Sequence, residues 1–550
     1  MLYRRPLQMI SLVPLLALLP ACSGGDGSGG EDKVIQGDDV VVVETQEFSL
    51  ELRALLPRNE PNLFADLTSV DMVIEDATGE LGSWTFDDLG SGAELKADEV
   101  GGLEQATISL LGYDDSGTLI AMGTTPPLDL SSGSAQASLF LPRLDDFGWL
   151  NGLPENLAGS AAVSDGDGRF LIFGGSSNLN ASVAQDASAA VYAWSPLGLE
   201  SGLTATAIAE MPSIDSGDRT TGRSAHTATR LGGTHEHQDL ILVAGGSTGF
   251  RDTQYVSETA FLWDTAADAP ADVPELEMER ARFHHQAVAD GSGNVVISGG
   301  FGRYDAANTF ANMLTIDFFD GVNLEFREIS LSREPHYFLF HGSARWGDRG
   351  VLLCGGLQYE EVGFTVHGRC GLVSPSGVYT DMDTLDIELP EPRFHHAMIG
   401  LDDGRVLVTG GATWTEEDGY TVADTAWVLD ENGVAWTEVG PTHKARAQHR
   451  MAKLADGRIA IVGGVSDMST WFYDGADALA CAEVFSPGRD DFRETPPCLV
   501  SDETGAQPKA AGLPALAVDR LFGVLALGGL DRSGGASDGA AIYVPRPVAQ

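Results

Sequence analysis

The chain has 550 residues, enough for several domains, and carries 80 acidic against 33 basic side chains, a formal net charge of −47. Such a surface repels nucleic-acid phosphate and offers no counterion release, so DNA and RNA are excluded as expected partners. The charge is spread along the chain rather than gathered in one tail. It is compatible with high solubility, a saline habitat or loose cation binding, and it says nothing about the fold.

The first 22 residues have the features of a secretion signal. Two arginines precede MISLVPLLALL (9–19), an apolar run too short to span a bilayer. LPAC (19–22) resembles a lipobox, in which the cysteine is acylated and becomes the mature N-terminus; an ordinary cleaved signal peptide is the alternative. The resemblance implies lipidation of Cys22 and an extracytoplasmic location, with Ser23 favouring the outer membrane. The composition of residues 23–33, rich in Gly and Ser, predicts a flexible tether.

Residues 34–142 contain about seven short β-branched or alternating runs, separated by Gly, Asp and Pro and without a helical period. This pattern predicts an antiparallel β-sandwich of immunoglobulin-like type. The cysteine and tryptophan marks of true immunoglobulin domains are absent. We expect this domain to be a spacer or an accessory binding module.

Residues 145–545 are built from a repeated unit, and RFHHAMIGLDDGRVLVTGG (393–411) is its clearest copy. The unit predicts two strands joined by a turn at Asp403-Gly404, with the second strand ending in a glycine pair. Its second strand is apolar on both faces, as expected for a sheet covered on both sides. Four units place a histidine 14 residues before the pair, and seven pairs recur at intervals of 53–71 residues. The first glycines of these pairs are Gly174, Gly245, Gly299, Gly355, Gly410, Gly463 and Gly528.

This unit resembles the kelch repeat, in which Arg-x-x-His opens the inner strand of a blade and Gly-Gly ends the second strand. The resemblance implies an all-β chain in which a seven-bladed kelch-type β-propeller, of galactose oxidase-like architecture, follows the sandwich. It also suggests a likeness to bacterial surface lipoproteins with kelch repeats. The segment FGWLNGLP (147–154) is predicted to supply the fourth strand that the last unit lacks.

Besides Cys22, the chain has four cysteines, two in each of two units. Cys354 ends a second strand and Cys370 enters the third, while Cys481 enters a third strand and Cys498 follows the fourth. Since neighbouring antiparallel strands bring such residues within bridging distance, we predict two disulfides, each within one unit. A Cys/His metal site is the alternative, although no Cys-x-x-Cys supports it.

Six repeat residues are candidate ligand-binding residues, and a structural role competes with each assignment. In kelch proteins, arginines near the start of the inner strand can face a ligand at one mouth, although the repeat itself demands Arg and His as hydrogen-bonding groups. Two doubled His-His pairs add imidazoles that the repeat does not require and that a metal could bind. The candidates are Arg223, Arg282, Arg393, Arg446, His284 and His395.

Two classes of function remain. The first is a surface-anchored monomer that binds a protein or glycan, or acts as a scaffold, through one propeller face and without a cofactor. The second is an enzyme on the same fold, either a copper oxidase resembling galactose oxidase or a sugar epimerase or mutarotase. Galactose oxidase cross-links a tyrosine to a cysteine, and the predicted disulfides leave no thiol for that bond. Binding is therefore preferred, and no catalytic or metal-ligating residue is assigned.

Overall fold

The computed structural model of the chain separates into two units. The first comprises residues 1–151, 195–203 and 542–550, and the second comprises residues 152–194 and 204–541. The structure describes residues 10–13, 39–44, 49–57, 59–87, 105–130, 134–150, 157–166, 168–176, 187–196, 205–215, 220–248, 256–304, 310–312, 315–331, 339–359, 364–380, 382–469, 478–494, 499–500, 514–529 and 540–547.

Within these ranges the secondary structure is almost entirely β-strand. The exceptions are one turn of α-helix, α1 (Met382–Leu385), and one 3-10 turn at Leu63–Asp66. No helix in the described ranges has the length and apolar character that crossing a bilayer requires. The predicted all-β class is confirmed.

The first unit holds two four-stranded sheets. The strands of these two sheets are β1 (Ile10–Val13), β2 (Asp39–Glu44), β3 (Ser49–Leu55), β4 (Ser69–Asp76), β5 (Gly79–Phe86), β6 (Thr107–Tyr113), β7 (Leu119–Thr124) and β8 (Ser134–Phe140), and β9 (Phe147–Trp149) follows them in the chain. The strand orders are β1-β2-β3-β8 and β5-β4-β6-β7. Alternate residues of β4 and β6 are buried, and Met72 and Leu110 share one apolar core with Leu52 and Leu139 of the other sheet.

Strands β2 to β8 are seven in number, as the sequence pattern predicted for residues 34–142. One pairing differs from that prediction, because β3 and β8 run parallel. The alternation of apolar residues shows which face of a strand is buried, but it contains no information on the direction of a partner strand that is far away in the chain. Strand β1 pairs with β2 although it lies within the predicted signal peptide.

Most of the strands of the second unit belong to seven larger sheets. They are β10 (Ala161–Ser164), β11 (Phe170–Phe173), β12 (Ala190–Trp194), β13 (Thr206–Glu210), β14 (Ile214–Asp215), β15 (Thr220–Thr221), β16 (Thr227–Arg230), β17 (Ile241–Ala244), β18 (Thr259–Asp264), β19 (Ala269–Pro270), β20 (Leu276–Glu277), β21 (Gln286–Ala289), β22 (Val295–Ser298), β23 (Phe301–Tyr304), β24 (Phe310–Asn312), β25 (Thr315–Asp320), β26 (Glu325–Ser330), β27 (Gly342–Arg345), β28 (Val351–Tyr359), β29 (Phe364–Val373), β30 (Tyr379–Thr380), β31 (Ala397–Gly400), β32 (Val406–Thr409), β33 (Ala412–Thr415), β34 (Gly419–Val422), β35 (Thr425–Leu429), β36 (Trp436–Pro441), β37 (Arg450–Lys453), β38 (Ile459–Val462), β39 (Leu479–Ala480), β40 (Ala482–Ser486), β41 (Asp491–Glu494), β42 (Leu499–Val500), β43 (Ala515–Asp519), β44 (Gly523–Leu527) and β45 (Ala540–Tyr543).

The seven sheets follow one another along the chain and have a common strand order. They are sheet 1 (β10-β11-β12-β13), sheet 2 (β16-β17-β18-β19, with β20 also beside β18), sheet 3 (β21-β22-β25-β26), sheet 4 (β27-β28-β29-β30), sheet 5 (β31-β32-β35-β36), sheet 6 (β37-β38-β40-β41) and sheet 7 (β43-β44-β45-β9). In sheet 7 the outer strand is β9, which lies in the segment predicted to supply it. Two-stranded ribbons (β14-β15, β23-β24, β33-β34 and β39-β42) branch from the connections.

The first strands of the seven sheets surround one axis. Strands β10, β16, β21, β27, β31, β37 and β43 each contact the next in this order, and β43 contacts β10. The ring of first strands therefore closes within the second unit. This arrangement, in which sheets radiate from a central axis, is that of a β-propeller.

The second strands are buried on both faces because neighbouring sheets cover them. All four residues of β11, β17, β22, β32 and β38 are buried. Between sheets 1 and 2, for example, Leu171 and Phe173 pack with Val243 and Trp263, and the rings of Phe173 and Trp263 lie 5.5 Å apart. The continuous apolar runs in the sequence are explained by this double burial.

A disulfide joins Cys354 and Cys370, which face each other on β28 and β29. This predicted pair is confirmed. Cys481 is also disulfide-bonded. Its predicted partner, Cys498, lies outside the described residues, as do Cys22 and the tether over residues 23–33.

Candidate ligand cavity on the ring axis

The Arg-x-x-His motif forms a sharp backbone turn just before the first strand of a sheet. The third residue of the motif adopts a left-handed conformation, with φ between 53° and 57°, in five sheets. Residues other than glycine rarely adopt this region, so the surrounding structure must hold the turn in place. These five residues are Ala225, His284, Phe340, His395 and Gln448, and Gly159 has the same role in sheet 1 with a φ of 66°.

Backbone hydrogen bonds connect these turns from one sheet to the next. In each bond the amide of the third motif residue donates to the carbonyl oxygen of its counterpart in the preceding sheet, at 2.7–3.0 Å. We call this set of main-chain bonds the axial belt. Its donor and acceptor pairs are Ala225–Gly159, His284–Ala225, His395–Phe340 and Gln448–His395.

The motif arginines lie inside their own sheets and are at most 2% exposed. In each case Nη1 donates to the carbonyl oxygen of the first glycine of the pair in the same sheet, at 2.8–3.0 Å. The guanidinium group thus ties the motif to the end of the second strand. The four bonds are Arg223 to Gly245, Arg282 to Gly299, Arg393 to Gly410 and Arg446 to Gly463.

The four arginines differ in the group that lies beside the guanidinium. Arg282 pairs with Asp317 and Arg446 pairs with Glu483, and all four side chains are fully buried. The partner of Arg393 is Glu391, which is half exposed. Arg223 lies instead against the ring of Phe261, and burial lowers its pKa to about 10.

The glycine pair fits between the motif of its own sheet and the motif of the next one. A Cβ on Gly410 would lie 2.1 Å from the carbonyl oxygen of Arg446 and 2.9 Å from the imidazole of His449, both in sheet 6. The amide of Gly411 donates to that same carbonyl oxygen at 2.8 Å. Three other pairs donate in the same way, at 2.9–3.1 Å. The two most regular features of the repeat therefore contact each other across the boundary between sheets.

Several motif histidines bond to a hydroxyl group of the preceding sheet. His341 Nε2 lies 2.9 Å from Ser298 Oγ, and His449 Nε2 lies 2.8 Å from Thr409 Oγ1. Both hydroxyl residues stand immediately before a glycine pair. In sheet 1 the corresponding residue is Phe173, which offers no acceptor. Neither ring nitrogen of His226 has a hydrogen-bond partner among the described residues.

Burial keeps five of the described histidines uncharged near neutral pH. Burial, aided by the nearby Arg223 cation, lowers the pKa of His226 to about 3. Burial, with smaller contributions from neighbouring cationic groups, lowers the pKa of four more histidines well below 6.5. These four are His284, His285, His396 and His449.

A cavity of about 320 Å³ lies on the ring axis, and all seven sheets contribute to its wall. We call it the axial cavity. Motif residues, among them His284 and His395, line one part of it, and small residues of the first strands, such as Ala162 and Ala228, line another. None of the four candidate arginines belongs to the described lining. The structure thus brings two of the six candidate residues to this cavity and places the other four inside the sheets.

Two lining residues, Gln448 and Arg450, were not among the candidates. They flank His449 in RAQHR (446–450). The signal was present in the sequence, because the residue after the motif histidine is small or uncharged in the other units, as in Thr227 and Ala397. Departures from the repeat, rather than the repeat itself, identify these two residues of the cavity wall.

No group of three or more His, Cys, Asp or Glu side chains within the described ranges is placed to hold a metal ion. The imidazoles come from different sheets and are distributed around the axis. The doubled histidines His284-His285 and His395-His396 each contribute one residue to the axial belt, so the two members of each pair have different surroundings.

The closed ring of sheets is that of a β-propeller, and its repeat resembles the kelch repeat. No family model matches the sequence. Among curated proteins, the chain is similar to Adagio-like protein 1 of Oryza sativa subsp. japonica, with 28% identity over 257 residues, 43% of this chain and 35% of that protein. The match therefore spans just over a third of that relative's length.

Solved structures with a similar fold include YjhT, with 12% identity, a TM-score of 0.42 and coverage of 63% of this chain and 99% of that chain. Another is a fungal alcohol oxidase of the AA5 family in complex with copper, with 14% identity, a TM-score of 0.49 and coverage of 73% of this chain and 76% of that chain. At these identities and scores, the comparisons assign no activity to this chain.

Proposed function

We propose that the protein is a cell-envelope lipoprotein that binds a glycan or a protein through a seven-bladed kelch propeller. The observation that carries this proposal is the axial cavity, to which every sheet contributes. The motif arginines are engaged inside the sheets, whereas the cavity wall offers neutral imidazoles, amides and hydroxyls. Such a wall suits recognition by hydrogen bonds, since a few placed polar groups in a concave site fix a ligand's orientation.

In this proposal each of the seven sheets is one blade, and the sandwich of the first unit is an immunoglobulin-like spacer. The closed ring of seven first strands supports the blade number. The two facing sheets that share one core support the sandwich, although the parallel pair β3–β8 departs from a purely antiparallel immunoglobulin domain.

The proposed location is the outer membrane, reached by a lipid on Cys22 and a tether over residues 23–33, with the protein as a monomer. The LPAC sequence supports the anchor, and the Cys354–Cys370 disulfide suits an oxidising compartment outside the cytoplasm. The strongly acidic composition disfavours a nucleic-acid partner. Labelling with palmitate tests the anchor: label that is absent in Cys22→Ala supports it, and label that persists in this variant contradicts it.

A glycan array probed with the purified chain tests the binding function directly. We expect a restricted set of glycans to be retained, and soluble forms of those glycans to compete. In parallel, metal analysis of the same preparation tests the enzymatic alternative. The copper-oxidase alternative would replace the binding proposal if three results were found together: stoichiometric copper, oxidation of an alcohol group of a sugar, and no retained glycan.

A further inference from the structure

The axial cavity has an unusual charge for this chain. Twenty-four described residues line it, and none of these is Asp or Glu. Since 80 of the 550 residues are acidic, a random sample of this size would contain about three. The described wall is therefore free of carboxylates in a protein whose surface is dominated by them.

The same wall contains one residue with a permanent charge, Arg450, the first residue of β37. This guanidinium is close enough to His284 and His449 to help lower the pKa of both imidazoles, after the larger effect of burial. With those imidazoles neutral, the cationic character of the cavity comes from Arg450. A guanidinium presents a planar fork of donors, which matches a carboxylate or phosphate with two parallel hydrogen bonds.

Other donors and a flat apolar surface lie around this cation. Gln448 and Gln286 bring amides to the wall, and His226 brings ring nitrogens without a hydrogen-bond partner among the described residues, although its side chain is buried. The rings of Phe340 and His395, also in the wall, lie 3.9 Å apart between centroids. Such a combination suits a ligand that has a charged end, several hydroxyl groups and a ring face.

We propose that the axial cavity binds a small organic anion, a carboxylate or phosphate about the size of a monosaccharide, with its charged group at Arg450. The volume of about 320 Å³ lies near the lower end of the range for small-molecule sites, about 300–1,000 Å³. The absence of carboxylates from the described wall removes the repulsion that such an anion meets elsewhere on this protein. This inference rests on the proposed binding function and specifies its ligand class.

Isothermal titration calorimetry of the full purified chain tests the inference with D-glucuronate, D-glucose 6-phosphate and D-glucose. We expect one of the two anions to bind at least about tenfold more tightly than glucose, because only an anion can pair with the guanidinium. Which of the two binds separates a carboxylate ligand from a phosphate ligand. Equal affinities for glucose and both anions would overturn the inference.

Arg450→Gln should weaken binding of the preferred anion by at least about tenfold. The matched control is Lys453→Gln, which removes one positive charge from the same strand. Lys453 is paired with Asp402 and is absent from the described cavity wall. This control should bind within about twofold of the unaltered protein. An equal loss in both variants would show a general charge effect and would contradict a site at Arg450.

A measurement on the unaltered chain keeps the inference testable if Arg450→Gln fails to fold. Inorganic phosphate should displace the preferred anion, and the same concentration of glucose should not. Failure of every anion to bind would overturn the anion site. If the glycan array still retained neutral glycans, the binding function would stand with a different ligand class; if it retained none, both proposals would fail.

Discussion

The first glycine of a pair satisfies two separate constraints, one of backbone angle and one of space. Gly410 has a φ of 56°, and a side chain on it would collide with the backbone of sheet 6. Gly419, the first residue of β34, has a φ of 69° and no atom within 4 Å of the position that a Cβ would take. Alanine substitutions at these two positions therefore distinguish the free-energy cost of the backbone angle from that of the steric collision.

Gly410→Ala is expected to destabilise the propeller by about 2–4 kcal/mol, and Gly419→Ala by about 1 kcal/mol. Both variants place an alanine in the left-handed backbone conformation. Only in Gly410→Ala does the added methyl group also collide with main-chain atoms that are held by hydrogen bonds. Urea-induced unfolding followed by tryptophan fluorescence measures the difference. Similar midpoints for the two variants would mean that contact between sheets does not require the glycine.

The motif arginines allow a similar comparison at the level of charge. Arg446→Met leaves Glu483 fully buried without its guanidinium, which is expected to cost about 3–5 kcal/mol. Arg393→Met removes the equivalent bond to a glycine carbonyl but leaves Glu391 half exposed to water. We therefore expect a clearly smaller loss in Arg393→Met, measured as the free energy of unfolding. Adding Glu483→Gln should recover part of the loss in Arg446→Met and none in Arg393→Met.

At the scale of the element, the end of the second strand determines what the next histidine contacts. Ser298 and Thr409 supply a hydroxyl at this position, whereas β28 ends its apolar run in Cys354, which is bonded to Cys370. Sheet 4 thus has a covalent link between its second and third strands at the position where sheets 3 and 5 have a hydroxyl group.

Replacing both cysteines by alanine should lower the free energy of unfolding by about 3 kcal/mol, the value expected for a loop of about 15 residues in the chain-entropy model. Replacing Cys354 by serine and Cys370 by alanine should recover about 1 kcal/mol, because a hydroxyl then becomes available to His396. Denaturant titrations of the two variants, without reductant, measure both effects. An unchanged midpoint in the double alanine variant would contradict a stabilising disulfide.

The strands and the ring could be predicted from the sequence because the pattern of apolar residues in the repeat indicates which strands are buried. An apolar run ending in Gly-Gly reports a strand covered on both faces and a chain reversal that needs glycine. The left-handed residue in the motif was not predicted, since Ala225, Phe340 and Gln448 have no side-chain feature in common. That conformation is imposed by bonds to the preceding sheet, so no local pattern encodes it.

The axial cavity could be predicted only in part, for a related reason. His284 and His395 were predicted as candidates because the repeat does not require a histidine at these positions, and both line the cavity. Arg450 was not predicted, although a charged residue directly after the motif histidine is a departure from the repeat. The parallel pairing of β3 with β8 could not be predicted either, since it depends on contacts between segments far apart in the chain.

At the scale of the whole molecule, the buried imidazoles make stability depend on pH. Their pKa values in the folded chain lie below the usual value of about 6.5, so the unfolded chain binds more protons between these values. The stability associated with neutral imidazoles is complete above about pH 6.5 and is lost as the pH falls. Each such group contributes up to about 1.4 kcal/mol per pH unit.

We therefore expect the melting temperature to fall steadily between pH 7 and pH 5. Protonation of surface carboxylates acts in the opposite direction by relieving repulsion, but most of them remain ionised in this interval. His226→Gln should make the dependence shallower, because the pKa of His226 is lowered to about 3. Differential scanning calorimetry at several pH values measures both slopes. A melting temperature that rises towards pH 5 would show that the imidazoles do not dominate.

The axial belt has a consequence for how such a protein can be diversified. Because its bonds join only amides and carbonyls, the side chains at Gly159, Ala225, His284, Phe340, His395 and Gln448 take no part in those bonds. These positions already accommodate a hydrogen atom, a methyl group, imidazoles, a phenyl ring and a carboxamide. A combinatorial library confined to them would therefore leave the main-chain belt in place and change only the side chains around the axis, including the packing of Ala225 and Phe340 in their apolar cluster.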